Sequence, residues 1–309
     1  MAIKLGGSDI AKVYLGSTEV DKIYLGATEV YSGATIPLLD TYTGAEFAHS
    51  FRLLRTAYGG NSTRARRSSD NAEQDIALVD GFLDTTSLLT FTGANNGLTP
   101  IIYDQSGNAN NLTQTTAANQ LEIVNTGSLI TSNSLAATQG SSSTGGQAPS
   151  IAFSGMTDIW FFDVIDVADT AGTQVLFESS TNFNSNTGAF IIYITGGELL
   201  INVRASGGAL ANKYPISTGR QLISIRMRTG LDTNSYSDLY INGTQITLAT
   251  ALGAGTSVLS NQVLYLNARA GGSSLGYTGK RQESIFYPTD QSSNRVAIEA
   301  NINAYYGIY

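Results

Sequence analysis

From Ser150 onward the chain carries one short apolar or alternating run after another, each closed by Gly, Asn, Asp or Ser. This pattern constrains the fold more than any other feature. Ile159-Trp160-Phe161-Phe162 is apolar at every position, which predicts a central strand buried on both faces, with Trp160 in the core. Runs at residues 175–177, 190–194, 199–203 and 222–227 follow. Residues 238–241 then meet Asn242-Gly243 and continue as 244–247. Asn-Gly between alternating runs is the strongest short hairpin signal, because both central turn residues take positive φ. Residues 263–266 and 283–287 complete the series. Regular short strands with turn signals between them predict an all-β antiparallel sandwich or jelly roll. The chain closes differently: Asp290 or Ser292 can cap a helix with Val296, Ile298, Ile302 and Tyr305 on one apolar stripe and Gly307 at its end.

The N-terminus carries a repeat of period ten. Residues 3–12 read IKLGGSDIAK, 13–22 VYLGSTEVDK and 23–32 IYLGATEVYS. Leu5, Leu15 and Leu25 recur in register, as do Ile10, Val20 and Val30. Apolar and polar residues alternate within each unit, which predicts a meander of short antiparallel strands turning at the glycines. Three such strands bury too little apolar surface to stand alone. They either cap the main domain or serve as an attachment and oligomerisation module. The expected organisation is therefore a β-repeat module at 1–34 and one sandwich domain at 35–309. Between the two regions of strong strand signal, residues 45–58 have helical spacing, residues 98–103 read as a strand, and residues 138–149 (ATQGSSSTGGQA) have the composition of a flexible surface loop.

Only 13% of residues are charged, against about a quarter in an average soluble domain. The net charge of −7 argues against nucleic acid as a partner, since an acidic chain gains nothing from counterion release. Arg64, Arg66 and Arg67 form the one basic cluster, and Asp70, Glu73 and Asp75 follow to pair with it. With no cysteine, disulfides and cysteine-ligated zinc are excluded. No stretch approaches the ~20 apolar residues that span a bilayer, and the opening Met1–Gly7 lacks the apolar run of a signal peptide. The expectation is synthesis in a cytosol and, for a protein that works outside, release by lysis, assembly or a signal-free route.

Several strings resemble the catalytic-domain family of α-L-arabinofuranosidase B. They are Ala48-His49-Ser50, Arg55, Tyr58 and Gly60, Arg67-Ser68-Ser69-Asp70, and above all Ile101-Ile102-Tyr103-Asp104-Gln105-Ser106-Gly107-Asn108. The resemblance continues more weakly to the C-terminus. It implies a concanavalin-A-like sandwich and an arabinosidase activity that relies on two carboxylates. At the positions this resemblance assigns to them, the chain has Phe190, within Gly188-Ala189-Phe190-Ile191, and Ser273, after Gly271-Gly272. The family's paired cysteines correspond to Val175-Leu176. Neither phenylalanine nor serine can serve as nucleophile or acid in a two-carboxylate mechanism. The expectation from these positions is a protein that is not an enzyme. The N-terminal LGSTEV-type repeats ahead of such a sandwich also resemble tailed-phage virion proteins.

Candidate side chains are few. His49 is the only histidine and sits among apolar neighbours, as a hydrogen-bonded core histidine does. Asp104 opens a Gly/Asn-rich turn and suits an Asx-type role. Glu178 and Glu198, the latter in a turn-like Gly-Gly-Glu, are the glutamates of the central strands and could in principle form a replacement pair. Asp158, Asp163 and Asp166 flank one strand without calcium-loop spacing and are expected to face solvent. Tyr236 and Tyr277, in polar loops, together with Gly272 and Ser273, are the candidates for carbohydrate contact. No cofactor and no metal is expected. The resulting expectation is a non-enzymatic virion surface protein, a tail fibre, spike or head decoration. It would be attached through Leu5, Leu15, Val20, Leu25 and Val30 to other virion proteins, perform host glycan adhesion, and form a homo-oligomer guessed to be a trimer. The alternatives are an active arabinofuranosidase-like glycoside hydrolase and a purely structural cementing protein.

Overall fold

The computed structural model describes residues 36–269 and 274–309, leaving aside the side chains of 149 and 150. Within residues 1–35 it describes the backbone of six short strands. These strands pair two by two: Lys4–Leu5 with Ser8–Asp9, Tyr14–Leu15 with Thr18–Glu19, and Lys22–Leu25 with Thr28–Ser32. Each repeat thus holds a complete hairpin rather than one strand of a meander. Two residues separate the paired strands in each repeat, the commonest hairpin spacing. The side chains of Leu5, Leu15, Val20, Leu25 and Val30 lie outside the described residues.

The rest is an antiparallel sandwich with three short helices among the described residues. The smaller sheet runs Phe47–Ser50, Lys280–Tyr287, Asp158–Val167, Gly219–Arg228, Ser237–Ile241, Thr244–Ile246. The larger runs from Glu73–Val79 through Asn61–Arg67, Gly97–Ile102, Leu112–Thr113, Gly146–Ile151, Gln262–Leu266, Gln174–Ser179, Phe190–Thr195, Glu198–Ala205 and Gly208–Pro215 to Thr250–Leu252. Leu121–Asn125 and Thr138–Gln139 bridge the two layers.

Strand alternation places the core. In the smaller sheet Phe47, Phe286, Phe161, Ile225 and Leu239 stand in one row across five strands, facing Phe177, Phe190, Ile192 and Ile201 of the larger sheet. The next row points the other way. Ala48, Ile285 and Phe162, with Trp160 and Val164, pack under Ile298, Ile302 and Tyr306 of the helix Arg295–Tyr306. The all-apolar run 159–162 follows from this arrangement, because one face meets a sheet and the other a helix. Gly307 ends that helix at φ +58, as the sequence suggested, and Asn242 and Gly243 take positive φ in the hairpin turn. The helix itself starts at Arg295 without a side-chain cap, and its buried stripe is Ile298, Glu299, Ile302 and Tyr306, leaving Val296 exposed.

Other sequence expectations are corrected. Residues 45–58 contain the strand Phe47–Ser50, buried on both faces, and the only helix nearby is Leu38–Thr41. Burial between a sheet and a helix overrides the helical spacing. Residues 138–149 are not a free loop. A Cβ on Gly140 would lie 2.0 Å from the Tyr277 carbonyl oxygen, and one on Gly146 2.5 Å from the Leu112 side chain. The glycines there serve close packing. Asp163 does not face solvent: it is buried between the sheets, where its Oδ2 is 3.1 Å from Arg281 Nη2 and its Oδ1 accepts from Ser284 Oγ at 2.7 Å. Burial raises its pKa. Asp158, also paired, holds Arg226.

Candidate functional site

The strand Gln174–Ser179 lies in the middle of the larger sheet, between Gln262–Leu266 and Phe190–Thr195. A bulge between Val175 and Phe177 lets both Leu176 and Phe177 enter the core. Alternation then resumes and turns Glu178 to the outer face. There Tyr265, Glu178, Ile191 and Asn202 occupy one row across four strands. Val175, Phe183, Ala189 and Ile191 form a small apolar cluster on the same face, with the half-buried Tyr193 packed against it. Asn202 Nδ2 donates to the Tyr193 hydroxyl at 3.3 Å. Arg204 and Lys213 border the row and are partly accessible.

The Glu178 side chain is fully buried on this outer face. Its Oε1 accepts from Ser180 Oγ at 2.7 Å, and Arg269 places Nε and Nη2 at 3.4 Å from the two carboxylate oxygens. Arg269 itself is about one third exposed. A carboxylate beside tyrosines, an amide and a guanidinium can meet the hydroxyls of a polar ligand through charge-assisted hydrogen bonds and the ligand's apolar face through rings.

The side chains singled out in the sequence distribute differently. Tyr236 is buried, accepting from the Asn212 amide at 3.1 Å and donating to the Ile201 carbonyl, and Tyr277 is buried too. Burial pushes both phenols above their ordinary range. Neither offers a ring face for stacking, a correction that arises because both loops fold inward. Gly272 and Ser273 lie outside the described residues. Phe190 is a core residue, edge-on to Phe153 at 5.2 Å, and the outward positions of its strand include Ile191 and Tyr193. Glu178 and Glu198 do not form a pair. Glu198 starts its strand four residues from Asn202, roughly 13 Å along the strand and two strand spacings of about 4.8 Å across from Glu178. It bonds Lys213 instead, at 3.2 Å.

Asp104 is the turn residue its sequence suggested. Its carboxylate accepts from the amides of Ala48, Ser106 and Asn110 at 2.8, 2.8 and 3.0 Å. Gln105 accepts from the Leu54 amide and donates to the Ser50 and Arg52 carbonyls. The string 101–108 therefore ties strands together and is remote in register from Glu178. His49 is buried and donates from Nε2 to the Asn110 carbonyl at 2.9 Å. Arg64 and Arg67 pair with Asp75 and Asp70. No group of three or more metal-ligating side chains occurs among the described residues.

The fold is a jelly-roll-like antiparallel sandwich, and its likeness to arabinofuranosidases is one of fold. The family model for the catalytic domain of α-L-arabinofuranosidase B matches residues 28–157. Among solved structures, a GH54 α-L-arabinofuranosidase soaked with a cyclic sulfate inhibitor superposes with a TM-score of 0.63 at 20% identity, over 86% of this chain and 64% of that one. An arabinofuranosidase complexed with arabinofuranosyl-α-1,2-xylobiose gives 0.64 at 21% identity, with the same coverage of 86% and 64%. The chain thus spans just under two thirds of the length of these enzymes. No curated protein matches it. The expectation that the chain is not an enzyme is overturned by these likenesses, which are to enzymes, and nothing in the described residues shows a loss of catalytic groups. Phe190 belongs to the core.

Proposed function

We propose that the protein acts on arabinose-containing glycans, holding the sugar on the outer face of the larger sheet with Glu178 as the carboxylate that meets it. The observation that carries this reading is a glutamate fully buried on the outer side of a sheet, held by Ser180 and Arg269 in a row with Tyr265 and Asn202. Desolvating a carboxylate costs several kcal/mol unless partners compensate. A surface built only for solubility has no reason to carry one there. The likeness to arabinofuranosidases supplies the substrate class.

The test is titration with arabinofuranosyl oligosaccharides, with free arabinose measured in the same samples, for the full chain and for Glu178→Gln. Binding or release that falls at least tenfold in the variant supports the reading. Values equal in the two proteins contradict it.

For the N-terminal repeats we propose attachment of the sandwich to a larger assembly, a virion surface carrying several copies of the chain. The ten-residue repeat supports this, as do hairpins that pair with no other sheet among the described residues. Two-stranded hairpins need a further surface to be stable.

A further inference from the structure

One inward row of the smaller sheet is polar where its neighbours are apolar: His49, Ser284 and Asp163 stand side by side across three strands. Arg281 joins them, over the Phe177 ring at 4.8 Å. Beside this row lies an interior cavity of about 20 Å³, with His49, Asn267, Arg281 and Gln282 in its lining and Leu112 and Leu266 among its apolar walls. Each of these four polar residues is at least nine-tenths buried and brings an atom without a protein partner among the described residues. The atoms are His49 Nδ1, Asn267 Oδ1, Gln282 Oε1, and Arg281 Nε and Nη1.

Their chemistry is mixed, and it can be assigned atom by atom. A carbonyl only accepts, so the bond to the Asn110 oxygen puts the His49 proton on Nε2. Burial lowers the His49 pKa, so the ring is neutral and Nδ1 is an acceptor. Gln282 Nε2 donates to the Ser132, Leu135 and Ala136 carbonyls, which fixes Oε1 as the free acceptor. Arg281 Nε and Nη1 can only donate. An anion would satisfy the guanidinium and face three acceptors, whereas a cation would satisfy the acceptors and face the guanidinium. Only a small molecule that donates and accepts serves both, and the volume admits one.

We infer that a single structural water is bound in this cavity, receiving hydrogen bonds from Arg281 and donating to two of the His49, Asn267 and Gln282 acceptors. It would close a polar bridge between Asn267 on the larger-sheet side and Arg281 on the smaller sheet. The inference is independent of the saccharide site. The experiment is a crystal structure of the full chain at a resolution that orders internal solvent, with a bromide-soaked crystal beside it and the His49 ring nitrogens followed by ¹⁵N NMR. One peak within hydrogen-bond distance of at least three of these residues, without bromide signal, and a hydrogen-bonded unprotonated Nδ1 are the expected results. A dry cavity, a bromide peak at the position, or a protonated Nδ1 at neutral pH would each overturn it. Asn267→Leu gives a second check: the peak should vanish, and its persistence with unchanged contacts would contradict the assignment.

Discussion

Arg269 sets its Nε 3.4 Å from a carboxylate oxygen of Glu178, on the outer face of the larger sheet. The guanidinium is partly exposed and the carboxylate is not. Removing the guanidinium would take the Arg269 charge away from Glu178. Arg269→Met is expected to weaken arabino-oligosaccharide binding about tenfold, the scale of one charge-assisted hydrogen bond. Isothermal titration checks this, and an unchanged affinity would count against Arg269 as the residue that holds Glu178 in place.

A second ion pair lies under the C-terminal helix. Arg52 donates from Nε and Nη2 to the two oxygens of Glu283 at 2.8 and 2.9 Å, and both residues are buried. Ser50 Oγ donates to the same carboxylate at 2.8 Å, and Arg52 also holds Asn301 on the helix at 2.9 Å. Glu283→Gln leaves a buried guanidinium without its counter-charge and is expected to cost about 3–5 kcal/mol in urea unfolding. The double variant Arg52→Met with Glu283→Leu should lose much less. A double variant as unstable as the single one would contradict the charge explanation.

Acid should destabilise the sandwich through His49. Its folded pKa lies below the ordinary value of about 6.5, chiefly because burial penalises the charged ring, with Asp104 opposing. Below that value the unfolded chain takes up a proton that the folded chain refuses. Stability is therefore at its full value above about pH 6.5 and is lost as pH falls from there toward the folded pKa. The melting temperature of His49→Gln should lose this part of the pH dependence. An identical profile in the two proteins would remove His49 as its source.

The glycines of the stretch 138–149 separate packing from flexibility. Gly140→Ala should cost about 1–3 kcal/mol, because its Cβ meets the Tyr277 carbonyl at 2.0 Å. Gly59→Ala, with nothing within 4 Å and no positive φ, should be neutral or slightly stabilising. Equal melting temperatures for the two variants would contradict this account of the loop.

Much of the sandwich is legible in the sequence, because its strands carry their own signals. The run 159–162 and the Asn242-Gly243 turn report burial and backbone conformation locally. The site is less legible. Glu178 faces outward only because a bulge between Val175 and Phe177 resets the alternation, and strict period two does not reveal a bulge. Tyr236 and Tyr277 lie in polar stretches yet are buried, since their rings turn inward from short loops. Asp163 reads as a surface acid until its strand is known to run between two packed layers with Arg281 opposite. The string 101–108 is the most family-like part of the chain, and its hydrogen bonds are structural, so similarity there carries the fold more than the chemistry.

The central claim is most directly tested by the crystal structure of the full chain soaked with an arabinofuranosyl oligosaccharide. The account predicts sugar density on the outer face of the larger sheet, with a hydroxyl or ring oxygen within hydrogen-bond distance of Glu178 or Arg269 and a ring against Tyr193. Density confined to another depression, such as the one of about 320 Å³ lined by Tyr214, Asn234, Asp238 and Gln245, would contradict it.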